Sequence, residues 1–194
     1  MEIINLLKKN LFIVKLTFLI LILSLTTNSY GQSRVVWSYD AMAAVPSIPA
    51  IKNDLYRVLW GRVIFNEGKT GIVTLFCPIT EGTGKFRSLI LTYKDGDGPL
   101  GSSEVSAVLR RVNRTGGPPV SFQYGLVSSN GVGYPVSNES QGNWKTKQSA
   151  RTGETLRNQS HQLDFKNYYY YVQITMKRTD PEVPLGVMGV YLTN

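Results

Sequence analysis

The chain has one cysteine and one histidine in 194 residues, and 13 acidic residues against 21 basic ones. A lone cysteine, Cys77, excludes an intrachain disulfide framework, so the fold must rest on its core. His161 and Cys77 together leave a zinc site short of its usual nitrogen and sulfur ligands. His161 has no Gly-x-Ser-x-Gly elbow to serve and no cysteine beside it, and it reads as an exposed loop or edge-strand residue. The acids that remain are still enough for a glycosidase, which needs only two carboxylates facing each other across a sugar. Basic residues are dispersed, with Arg110, Arg111 and Arg114 the only local cluster, and no lysine-arginine tract exists to follow a nucleic-acid backbone.

Long hydrophobic runs are scarce as well. "LTFLILILSL", Leu16 to Leu25, is about ten residues, the length of a signal-peptide core and too short for a membrane span. Lys8, Lys9 and Lys15 supply the positive start, and Ser29-Tyr30-Gly31 places small residues where a signal peptidase reads. Residues 1–31 are therefore read as a signal peptide cleaved before Gln32, with an uncleaved anchor as the alternative, and the protein as secreted or periplasmic. Cleavage removes three lysines and one glutamate, so the formal charge of +8 falls by two. That mild bias favours an anionic cell-surface or matrix polymer, or lipid headgroups, over nucleic acid as a partner; a solvated face with no partner is the simpler reading. No stable membrane span remains after cleavage. Residues 32–194 are the size of one domain, able to bury a sufficient core.

What the sequence does contain is period-two alternation. "RVLWGRVIF" (57–65), "GIVTLFCPI" (71–79), "FRSLILTY" (86–93), "EVSAVLRRV" (104–112), "PVSFQYGLV" (119–127), "YYYYVQITMKR" (168–178) and "LGVMGVYLT" (185–193) are strand-length and rich in β-branched and aromatic residues. Asn66-Glu67-Gly68, Glu81-Gly82-Thr83-Gly84, Asn130-Gly131 and Asp180-Pro181 separate them as turns. The pattern predicts an all-β fold, a single antiparallel β-sandwich of jelly-roll type. Residues 32–54 open with a strand and then become an irregular, apolar, proline-bearing wrap, whose surface could also meet a partner. The polar stretch 137–162 is long enough to require edge strands, placed at 143–150 and 155–165. Cys77 shares a face with Val73, Leu75 and Ile79, as a buried inert thiol would; a reactive or intermolecular role is the alternative.

"YKDGDGPLGSSE" (93–104) raises a calcium question. Read as a twelve-residue calcium loop from Tyr93, it places Asp95 third, Asp97 fifth, Gly98 sixth and Glu104 last. Tyr93 lacks the carboxylate that should come first, and the flanks are strands instead of helices. A hairpin turn needs less, since Asp-Gly pairs turn strands and Pro99 stops one. Calcium on Asp95, Asp97 and Glu104 stays as the weaker alternative, and no other cofactor is indicated.

In "YYYYVQITMKR", alternation sends Tyr168, Tyr170, Val172, Ile174 and Met176 to one face, and Tyr169, Tyr171, Gln173, Thr175 and Lys177 to the other. Flat tyrosines beside an amide and a cation suit a sugar ring, and Trp144 would add a further platform; outward tyrosines can also simply cover a sheet.

The succession "GRVIFNEGKTGIVTLFCPI" (61–79), "LTYKDGDG", "VSAVLRRV", "YYYYVQITM" and "GVMGVYL" resembles a broad group of small secreted bacterial β-sandwich proteins without an assigned function. The resemblance spans about half of the chain beyond the leader. It implies a secreted β-sandwich and no ligand. Members often carry a second cysteine in the strand that here has Ala107, which implies that Cys77 is the survivor of a lost bridge to that position. The resulting reading is a secreted, non-catalytic binding or surface-associated module, possible ligands being a glycan or matrix polymer through Tyr169, Tyr171, Gln173, Lys177 and Trp144. A structural or protein-interaction domain of the cell envelope is the alternative, and a carboxylate-pair glycosidase a remote one.

Overall fold

A computed structural model describes residues 34–98, 101–130, 144–148 and 160–194, without the side chains of 122–125 and 145–148. The predicted leader, its cleavage site and residues 155–159 of a predicted edge strand lie outside the described residues.

The described chain is nearly all β. Its strands are β1 (Val35–Asp40), β2 (Val45–Pro46), β3 (Tyr56–Leu59), β4 (Arg62–Phe65), β5 (Gly71–Ile79), β6 (Ser88–Asp95), β7 (Ser103–Asn113), β8 (Val120–Ser128), β9 (Lys145–Gln148), β10 (Tyr168–Arg178) and β11 (Leu185–Thr193). A 3₁₀ turn, Ala41–Ala43, and one short helix, α1 (Ile48–Lys52), lie among them. No helix among the described residues is long and apolar enough to cross a membrane.

The strands form two antiparallel sheets. The first runs β3-β4-β11-β6-β9, with β1 also beside β11, and the second runs β2-β5-β10-β7-β8. Alternation decides which side chains each sheet turns inward. On β5, Val73, Leu75, Cys77 and Ile79 are buried, and on β10 Tyr170, Val172, Ile174, Met176 and Arg178 are buried. All of these except Arg178 join Leu89, Leu91, Val187 and Leu192 of the first sheet in one hydrophobic cluster. Complete burial of a side chain of this size stabilises by about 1.5–3 kcal/mol, so this interior supports a fold with no disulfide among the described residues.

Two expectations need correction. The run 57–65 is a hairpin, not a single strand: Trp60 and Gly61, at φ 49° and 76°, turn β3 back onto β4. Both central residues in the left-handed region is the turn whose twist matches a hairpin. The wrap at 34–54 is also more ordered than predicted, since β1 pairs with β11 and β2 with β5. It thereby passes from one sheet to the other, and Ala41, Ala44, Ala50 and Leu55 bury beneath it.

Candidate functional site

The second sheet turns one face away from the core, and β10 carries Tyr169 and Tyr171 there. Tyr169 is 56% exposed, and the Arg114 guanidinium lies 4.5 Å from its ring centroid. Arg114 is held by Glu81, with which it forms an ion pair. Two residues on, Tyr171 meets Phe76 of β5 edge to face at 5.8 Å and stands in register with Arg110 of β7. Arg110 donates from Nη1 to Ser121 Oγ at 2.9 Å and has no carboxylate partner among the described residues. Gln173 and exposed Lys177 continue the row; Gln173 donates to Thr175 Oγ1 at 3.4 Å, and Lys177 stands opposite Glu104.

The structure thus brings Tyr169, Tyr171, Gln173 and Lys177 onto one face. It places Trp144 elsewhere. The Trp144 ring lies beside Gly186 of β11 in the first sheet, 3.1 Å from where a Cβ would stand on that glycine, with the Arg62 guanidinium 4.8 Å from its centroid. Sequence reasoning also missed Arg110, Arg114 and Phe76 as members of the tyrosine face. The available signal was the outward parity of Arg110 along β7, continued by Arg114 just beyond its end, and of Phe76 along β5.

Asp95, Asp97 and Glu104 divide in the same way. Asp95 ends β6 pointing inward at 1% exposure, and Ser103 Oγ contacts both Asp95 Oδ1 and Asp97 Oδ1. Asp97 also accepts from the Ser102 and Ser103 backbone N–H groups at 3.0 and 3.1 Å, and from the Ser102 hydroxyl. Glu104, one residue beyond Ser103, faces the other way and accepts from Ser128 Oγ at 2.5 Å. The turn therefore holds Asp97 and one oxygen of Asp95 through its own serines, and no group of three histidine, cysteine or acidic residues suited to a metal forms among the described residues.

Electrostatics set the two aspartates apart. Burial pushes the Asp95 carboxyl up to about 6, and its bond with Asp97 adds to this against the pull of Ser103 and Ser129. Burial also presses Asp97 upward, but hydrogen bonds from Asp95, Ser102 and Ser103 outweigh it and hold Asp97 below the usual range. A serine hydroxyl has one proton, so Ser103 cannot donate to both carboxylates. Asp95 Oδ2 receives no hydrogen bond among the described residues, and a buried carboxylate left short of donors is the environment that raises its pKa.

His161 is half-buried instead of exposed. Its backbone exchanges hydrogen bonds with Phe86 at 2.7 and 2.9 Å, and its ring meets the Phe86 ring edge to face at 5.5 Å. Burial, then the nearby Arg111 charge, lowers its pKa, so near neutral pH the ring is uncharged.

Cys77 is fully buried, and burial alone pushes its thiol up to about 12. Its pairing partner on β10 is Val172, which on the other side faces Leu109 of β7, whereas Ala107 stands opposite Ile174. A cysteine at 107 would lie two strands away, about 9–10 Å in the sheet, beyond a disulfide's usual Cα separation. The implied bridge from Cys77 to that position is therefore corrected: this register does not permit it.

No family model matches the chain, and no curated protein matches it.

Proposed function

We propose that this is a secreted, non-catalytic β-sandwich of jelly-roll type that binds an acidic glycan or matrix polymer across the outward face of its second sheet. Strand order supports the architecture: β4-β11-β6-β9 and β5-β10-β7-β8 are the two four-stranded orders that a pair of Greek keys folded into a jelly roll produces. The observation that carries the ligand class is the row formed by Tyr171 and Arg110 in register, followed by Tyr169 with Arg114 over its ring. Tyrosine rings offer flat surfaces to sugar rings, and an arginine without a carboxylate partner offers a fork to a carboxylate or sulfate. Lys177 and Gln173 extend that surface along the strand.

The test is titration of the secreted protein with acidic and neutral polysaccharides of matched length. The expected result is binding of the acidic chain only, weakened by salt, with Tyr171→Ala and Arg110→Ala each reducing affinity by about tenfold, the equivalent of one good contact. Failure to bind any acidic polysaccharide, or binding indifferent to both substitutions, would sink the proposal.

A further inference from the structure

We infer that the edge formed by residues 41–60 docks on an anionic lipid surface, with Trp60 as the inserted residue. Trp60 is 86% exposed at the tip of the β3–β4 hairpin, in a left-handed conformation that glycine or asparagine adopts more readily. A tryptophan left this exposed in a disfavoured backbone position adds little to the core. It is also not an isolated apolar residue. Met42, Val45, Ile48, Ile51, Val58 and Leu59, all in this segment, are exposed too. The Met42 sulfur lies 4.0 Å from where a Cβ would stand on Gly61, which puts the 3₁₀ turn against the hairpin tip. The Asn66 N–H donates to Leu55 O at 2.9 Å, which ties the stretch following α1 to the far end of β4.

Charge selects the occupant. Lys52, Arg57, Arg62 and Lys69 border this edge, against Asp40, Asp54 and Glu67. Glu67 is paired with Arg57 at 3.6 Å, and Asp54 accepts from the Asn66 side chain at 3.2 Å, while Lys52 and Lys69 have no carboxylate partner among the described residues. The chain as a whole carries +8. A second copy would bring the same cations to the interface, whereas anionic headgroups complement them. Lys52 and Lys69 lie toward the end of the β3–β4 hairpin remote from Trp60, near Leu55 and Asn66, so the cations and the inserted ring occupy opposite ends of one apolar edge, where area burial and headgroup attraction add. Tryptophan suits the headgroup boundary, because its ring is apolar and its N–H is not.

The test uses vesicles of phosphatidylcholine with phosphatidylglycerol, brominated on the acyl chains, and the full chain beside its Trp60→Asn variant. Asparagine suits the turn, so the variant is expected to melt no lower than the parent. Residues 1–33 contain no tryptophan and are silent in quenching. The expected result is quenching of the parent's emission, its loss in Trp60→Asn, and at least a tenfold higher vesicle concentration for half-maximal quenching in a Lys52→Glu, Lys69→Glu double variant. Three results would overturn the inference: no quenching of the parent, equal quenching of parent and variant, or a dimer in sedimentation equilibrium that Trp60→Asn abolishes, which would give the edge to a second copy.

Discussion

Arg178 lays its guanidinium 4.6 Å from the centroid of the Phe65 ring, joining the end of β10 to β4 across the interior. It is 2% exposed, and its partners are backbone carbonyls: Nε donates to Lys69 O at 2.7 Å, Nη1 to Val183 O at 3.2 Å, and Nη2 to Asn66 O and Lys69 O. One side chain thus closes the β4–β5 turn and the β10–β11 turn together. Burial lowers its pKa while Asp180 and Glu182 oppose this.

Arg178→Ala leaves those carbonyls without donors and is expected to cost about 3 kcal/mol or more, since hydrogen bonds from a charged group contribute about 1.5–3 kcal/mol each. Arg178→Lys, which keeps the charge and loses the fork, is expected to recover less than half of that. Urea denaturation measures both; a loss below about 1 kcal/mol for Arg178→Ala would show that the clip is dispensable.

The Asp95 carboxyl makes stability depend on pH in an identifiable direction. Its folded pKa, about 6, lies above its ordinary value of 3.8, so the folded protein holds the proton more tightly. Its contribution is present in full below the ordinary value, declines as pH rises toward 6, and is flat above. The decline is expected to be of order 3 kcal/mol. Asp97, held low, acts in the opposite sense: its contribution is present above its ordinary value and lost as pH falls below it. Asp95→Asn should abolish the decline between pH 4 and 6 in chemical denaturation, and a slope there unchanged from the parent would refute the assignment.

Cys77 is expected to resist a thiol reagent in the folded protein and to react at once in denaturant, because its thiol is fully buried and burial disfavours the thiolate. Cys77→Val should be tolerated within about 1 kcal/mol, whereas Cys77→Ser places an unpaired hydroxyl in the core and should cost about 1–3 kcal/mol. Rapid native labelling would contradict this reading.

Gly96 admits no side chain. A Cβ there would stand 2.4 Å from Pro184 Cδ and 2.7 Å from Pro184 Cγ, while the Gly96 N–H donates to Pro184 O at 3.0 Å. Gly96→Ala must part the β6–β7 turn from the β10–β11 turn and is expected to cost about 1–3 kcal/mol in thermal or chemical unfolding. Gly101, with open space around its Cβ position and no left-handed φ, is the control for crowding.

Much of this was legible from local pattern. Period two follows from the geometry of an extended backbone, so the burial of Val73, Leu75, Cys77 and Ile79, and the outward turn of Tyr169 and Tyr171, could be read one strand at a time. The same regularity misled at 57–65. "RVLWGRVIF" is strand-length and rich in β-branched and aromatic residues, and tryptophan is no turn signal; the reversal at Trp60 exists because β3 closes onto β4. The tyrosine strand was identified, but not the arginines beside it, because those belong to other segments of the chain.

Local sequence was enough for most of the strands, their inward faces and the burial of the single thiol, because backbone pleat and residue polarity act within a few positions. Tertiary structure alone decided which strands became neighbours. It sent Trp144 to the first sheet, set Ser103 between Asp95 and Asp97, and left Glu104 facing away from them. It also gave Arg178 its carbonyls from turns more than a hundred residues upstream, at Asn66 and Lys69. Those choices depend on pairing between distant segments, where register is settled by the packing of the whole core and not by any residue's own preference.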